Sequence, residues 1–262
     1  MFDERTLEGP LAAVREHHAP GALVFDTQRD FETLSPAVAE ELGLRVDSLD
    51  PATYDADWLP ADAPDELRAY ASGDFTIGMP GDGGVAWTRQ TDPPCVFVKP
   101  RLTGSPDTFV EFLLAEALVQ VGTGLPEHFL GFFESQYRDL CAVGLGPADS
   151  YQLANALYDA YVGLHTRETF RGWESDHPGL HAAWVDAGER LQPRLDDLST
   201  EVATGRTEFA AAAELACSAL KHDVDVPTPF DALDAEAYQH YGPEYALRWA
   251  EKTIAAMRGD DT

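Results

Sequence analysis

The spacing of apolar residues changes near residue 101, and no other feature of the chain constrains its fold as tightly. Upstream, apolar residues alternate. Phe75, Ile77 and Met79 fall on one face of segment 74–79, and Val85, Trp87 and Arg89 on one face of 85–89. Between them, Pro80-Gly81-Asp82-Gly83-Gly84 is rich in residues that accept positive φ, so the two segments read as a hairpin. Cys95–Lys99 reads as a third strand, set off by Pro93-Pro94 and Pro100. Nearer the start, short helices over Thr6–His18 and Pro36–Leu42 flank an apolar run, Ala22–Phe25, of strand character. Residues 47–64 read as loop.

Downstream the period is helical almost to the end. Ser105-Pro106-Asp107 is a strong helix start, with Ser105 as N-cap and proline at the first helical position, and this helix should run to about Gly122. Further helices are expected over Pro126–Val143, Pro147 to about Phe170, Pro178 to about Thr204, Glu208–Lys221 and within Asp231–Met257. Leu153, Leu157, Tyr161 and Leu164 make a stripe of core character. The aromatic residues Phe129, Phe132, Phe133, Tyr137, Trp173, Trp184 and Trp249 mostly sit at core spacings as well.

The class that follows is α+β, predominantly α, with a small antiparallel β-sheet packed against a C-terminal multi-helix assembly. Residues 1–100 form the mixed α/β portion with the hairpin and third strand, and residues 101–262 the helical portion. No repeat of constant period and no low-complexity tract separates them, so one continuous domain and two domains are both compatible with the pattern.

Charge narrows the setting. The chain carries 46 Asp+Glu against 18 Lys+Arg, a formal net charge of -28, and its only lysines are Lys99, Lys221 and Lys252. Such a surface repels itself at ordinary ionic strength, whereas near 1 M salt the screening length falls to about 3 Å. Dense acid with scarce lysine therefore implies a salt-filled interior. Nucleic acid is disfavoured as a partner, because phosphate neutralisation needs clustered cations. Cys95, Cys141 and Cys217 lie among apolar neighbours at wide spacings, as buried thiols of a reducing compartment do. No signal-peptide core and no run of about 18 apolar residues occurs, which points to a soluble cytoplasmic protein without a membrane partner.

The opening Met-Phe-Asp-Glu-Arg-Thr-Leu with Ala-Ala-Val-Arg-Glu-His-His, and the segment Leu125-Pro-Glu-His-Phe-Leu-Gly-Phe-Phe133, resemble an uncharacterised protein family of halophilic archaea. The resemblance covers essentially the whole chain. It implies a cellular context and no activity.

Candidate sites are few. Lys99-Pro-Arg101-Leu-Thr103-Gly-Ser105 sets two cations and two hydroxyls between a strand end and a helix start, where free N–H groups favour an anion. Lys99, Arg101, Thr103 and Ser105 are thus the candidate anion-binding residues. The competing role for the same side chains is structural: Ser105 caps its helix while Lys99 and Arg101 pair with surface acids. Around His165, Glu168, Glu174, Asp176, His177 and His181 ligand-type residues gather, but Glu174-Ser-Asp-His177 falls in a loop and has no second Glu-x-x-His to complete a di-metal bundle. Ala115-Glu116-Ala117-Leu118-Val119 lies where a zinc peptidase would carry His-Glu-x-x-His. Both ligand positions are apolar, which leaves Glu116 as a lone acid. No catalytic residue, metal or cofactor is assigned on this basis. The sequence favours a non-catalytic binding or interaction protein whose partner is an unidentified protein or a small anionic ligand. The alternative is an enzyme acting on an anionic small molecule at the turn 99–105, with Glu116 as its acid.

Overall fold

The computed structural model describes residues 1–78 and 83–259, and at Glu66 the backbone alone. It divides into two compact units. The first comprises 1–56, 65–128 and 177–183, and the second 57–64, 129–176 and 184–262.

Among the described residues the strands all fall in the first unit: β1 (Phe2–Glu4), β2 (Leu23–Thr27), β3 (Ser48–Leu49), β4 (Val85–Thr88), β5 (Thr91–Asp92) and β6 (Cys95–Val98). Four of them form one sheet in the order β1-β2-β6-β4, and β3 pairs separately with β5. The main sheet is mixed. β1 and β4 run antiparallel to their neighbours, while β2 and β6 are parallel, with Val24 opposite Val96 and Phe25 opposite Phe97. Helices α1 (Gly9–His18), α2 (Pro36–Gly43), α3 (Asp65–Ala71) and α4 (Asp107–Gly122) complete the unit. Helix α4 lies against β4 and β6 and also packs on α1. Gly122 permits that contact, since a Cβ there would meet the His18 carbonyl. Phe2, Phe25, Leu34, Leu42, Ile77, Cys95 and Phe97 form one buried cluster. With apolar neighbours on both faces, β6 is buried at every position, which is why its sequence is an unbroken apolar run.

The mostly helical α+β class agrees with the sequence, and the pairing of the expected hairpin does not. Segment 74–78 bridges to Thr33 through Thr76, with Leu34 N–H donating to the Phe75 carbonyl and Ile77 N–H to that of Glu32. Strand β4 pairs with β6. Phe75 and Ile77 share a buried face as their alternation requires. Alternation sets the face of a strand and says nothing of its partner. Met79 and the turn residues Pro80–Asp82 lie outside the described residues. The parallel pair β2–β6 likewise makes the sheet mixed, where an antiparallel one was expected. Strand β1 went unread because its single apolar residue, Phe2, sits among acids.

The second unit is helical: α5 (Phe129–Phe133), α6 (Gln136–Cys141), α7 (Pro147–Asp176), α8 (Pro178–Glu189, from Trp184 onward), α9 (Gln192–Leu195), α10 (Leu198–Ala203), α11 (Phe209–Lys221), α12 (Glu236–Tyr241) and α13 (Pro243–Arg258). Its centre is α7 against α11. Leu153, Leu157 and Leu164 of the expected stripe are buried. Gly163 lets the helices meet closely, since a Cβ on it would stand 2.8 Å from the Lys221 Cα. All seven aromatic residues assigned to the core are buried, and the Trp249 indole N–H finds the Pro229 carbonyl at 3.0 Å.

Helix ends differ from the sequence reading in instructive ways. The segment 126–143 breaks into α5 and α6 at Glu134, whose φ is +50°. The segment 178–204 splits into three helices, and Pro193, which has no N–H to donate, stands at the start of the second. Helix α7 runs past Gly172 to Asp176. One glycine costs a helix about 1 kcal/mol, less than burial of Phe170 and Trp173 returns. Among the described residues no helix is long and apolar enough to cross a membrane.

Candidate functional site

A cleft of about 630 Å³ opens in the first unit where α1 and α4 begin and β2 and β6 end. Leu7, Leu11 and Val98 are its buried apolar residues, and Thr27, also buried, donates to the Val98 carbonyl at 3.2 Å. The antiparallel β1–β2 pair brings Arg5, just beyond β1, beside Asp26 on β2. Arg5 Nε meets the two carboxylate oxygens at 3.1 and 3.0 Å, and Nη2 meets Oδ1 at 2.6 Å. The carboxylates of Glu8, Asp107 and Glu111 add to the lining. Asp107 and Glu111, four apart on α4, share a helix face.

The strand-to-helix turn named from the sequence is one wall of this cleft, since Lys99, Thr103 and Ser105 all line it. Its cations are committed elsewhere. The Lys99 side chain is fully buried, with its ammonium 3.6 Å from Asp30 and 5.9 Å from the centre of the Phe31 ring. Arg101 binds the same Asp30, with Nε at 2.7 Å. Burial works against the ionised form of Asp30, but the hydrogen bond from Arg101 and the charges of Lys99 and Arg101 outweigh it and hold the carboxyl below its ordinary value. The pairing with acids that competed with anion binding is therefore present. Ser105 does not cap α4, whose N-cap position is Pro106 and which carries no side-chain cap bond. The Ser105 backbone instead closes a turn onto Leu102.

Glu116 is 7% exposed, on the buried stretch of α4, and is not among the cleft residues. Of the histidines and carboxylates weighed for metal, His165 bonds its own helix at the Tyr161 carbonyl and Glu168 pairs with Arg171 at 3.0 Å. Among the described residues no group of three or more His, Cys, Asp or Glu is placed to hold a metal ion.

A second polar cluster had no signal in the sequence. Glu127 accepts hydrogen bonds from the Thr88 hydroxyl at 2.8 Å, the Arg89 N–H at 2.9 Å and the Gln90 amide at 2.5 Å. Gln90 also donates to the Thr76 carbonyl and accepts from Ala52 N–H, both at 2.8 Å. Next to Glu127, His128 is buried, stacked on Tyr70 at 4.1 Å between ring centroids, with Tyr54 at 5.9 Å. Burial pushes Glu127 above the usual carboxylate value and His128 down to about 3. The space inside the cluster is about 10 Å³, room for one water at most. Its members come from four distant stretches of chain, and no motif links them. This cluster braces the unit, whereas the cleft is open to solvent.

A family model described as a family of unknown function (DUF7089) matches residues 1–257. The chain belongs to that family. The DUF7089 match spans both units and includes the whole cleft, the turn 99–105 and the Glu127 cluster. It agrees with the resemblance to an uncharacterised family, and the DUF7089 description names no activity. Comparison with curated proteins and with solved structures finds no match.

Proposed function

We propose that this DUF7089 chain is a non-catalytic binding protein of a salt-rich cytoplasm, and that its ligand is a small polar molecule seated in the cleft at the turn 99–105. The observation that carries the reading is the cleft itself. Its volume of about 630 Å³ falls in the range of small-molecule sites, roughly 300–1,000 Å³, and it combines an apolar floor with a polar rim. The enzyme reading has less support, because the lone acid assigned to it, Glu116, is not in the cleft lining and Lys99 and Arg101 are both engaged by Asp30.

The cellular setting is part of the proposal. The -28 net charge and scarcity of lysine favour a halophilic source, of which halophilic archaea are the candidate, and the three unpaired cysteines suit a reducing cytoplasm. Ligand-observed magnetic resonance with a library of small polar metabolites tests the site. Binders should be found with wild type and lost when Val110→Trp fills the cleft. Binding that is unchanged in a folded Val110→Trp protein overturns the assignment.

A further inference from the structure

We infer that the cleft is built for a zwitterion, a small molecule carrying both a carboxylate and an ammonium group. The inference rests on the reading of the cleft as a binding site. It begins with Arg5. Its Nε and Nη2 are taken by Asp26, side-on, which fixes the plane of the guanidinium. All its side-chain bonds among the described residues go to Asp26, so the end-on edge formed by Nη1 and the second Nη2 hydrogen has no protein partner. Arg5 lines the cleft and its side chain is 35% exposed. A guanidinium held on one edge and open on the other presents two parallel N–H donors, the geometry that a carboxylate accepts.

The rest of the lining has the opposite sign. The Arg5–Asp26 pair is neutral as a unit, and Lys99, Arg101 and Asp30 together keep a single positive charge, so among the described residues the exposed carboxylates of Glu8, Asp107 and Glu111 outnumber the cations left to balance them. A bare anion reaching Arg5 would be repelled by these three. A bare cation would satisfy them and leave the open guanidinium edge to water. A molecule with both groups answers both walls, its carboxylate on Arg5 and its ammonium among the acids, with its methylene chain over Leu7 and Leu11.

Three probes of matched length test this: 4-aminobutanoate, butanoate and butylamine, titrated at one fixed KCl concentration and followed by amide shifts of residues 5–11 and 103–111. 4-Aminobutanoate should bind at least tenfold more tightly than either half-molecule. Arg5→Gln, which also leaves the Asp26 carboxylate without its partner, should remove the advantage of 4-aminobutanoate over butylamine within that variant, and Glu111→Gln, at an exposed position, should weaken both in the wild-type background. Butylamine binding as tightly as 4-aminobutanoate overturns the zwitterion while leaving the binding cleft in place. An unchanged 4-aminobutanoate affinity in Glu111→Gln overturns it as well, even if Arg5→Gln fails to fold. No binding by any probe also refutes it, and the cleft reading then stands or falls on Val110→Trp alone.

Discussion

Glu127 and His128, consecutive in the chain, are both driven toward their uncharged forms by burial, the carboxyl by a raised proton affinity and the imidazole by a lowered one. Their effects on stability therefore run in opposite directions with pH. His128 falls from 6.5 to about 3 on folding, so the unfolded chain takes up the proton first. Stability should be constant above pH 6.5 with respect to this group and should fall below it, by on the order of 1 kcal/mol per pH unit. Urea midpoints between pH 4.5 and 7 at fixed KCl check this. The loss should be present in wild type and much reduced in His128→Phe.

Removing the Glu127 acceptor should be costly. Glu127→Ala strands the Gln90 amide and the Arg89 N–H, and a loss of about 2 kcal/mol is expected from unfolding in urea. Because the proton affinity of Glu127 is raised on folding, its favourable contribution is full below pH 4.5 and declines as the pH rises through the folded value. The gap between wild type and Glu127→Ala should thus narrow on going from pH 4.5 upward.

Two glycines on α7 make a matched pair. Gly163→Ala places a methyl group 2.8 Å from the Lys221 Cα and Cβ and should destabilise by about 1–3 kcal/mol. Gly172→Ala meets nothing within 4 Å and should stabilise by up to about 1 kcal/mol through helix propensity. Melting temperatures of the two variants should move in opposite directions. A rise in both would mean that α7 and α11 do not approach as described.

Salt should stabilise the fold strongly. Screening lengths of about 10 Å at 0.1 M and 3 Å at 1 M mean that repulsion among exposed carboxylates is largely quenched only in concentrated salt. The melting midpoint should rise steeply with KCl into the molar range, and a flat response would remove the halophilic assignment.

Legibility in the sequence followed the range of the interactions involved. Local signals served well: Pro36 and Gly43 bound α2, Cys95–Val98 is a buried strand, and the Leu153, Leu157, Leu164 stripe is core. Pairing was not legible, because the alternation of Phe75 and Ile77 fits any partner and the one chosen is the stretch around Thr33. Helix interruptions at Glu134 and before Pro193 were missed because the apolar period continues across them. At the candidate site, the turn 99–105 was found from its residue types and does line a cleft, yet the charge of that cleft is set by Glu8, Asp107 and Glu111 outside the turn. The Asp30 that engages Lys99 and Arg101 is distant in sequence, and so is every partner of Glu127.

The parallel alignment of β2 with β6 bears on how the chain emerges from the ribosome. Strands β1 and β2 are made first, but one edge of β2 stays open until residues 95–98 have been synthesised, and β4 gains its place only through β6. Pairing over so long a separation is slow, and the nascent first unit must pass through a stage with Phe2 and Phe25 uncovered. In pulse-labelled refolding, amides of β2 should acquire protection together with those of β6 and no earlier. A cell making this protein must guard an apolar, strand-forming segment while about 70 further residues are being added.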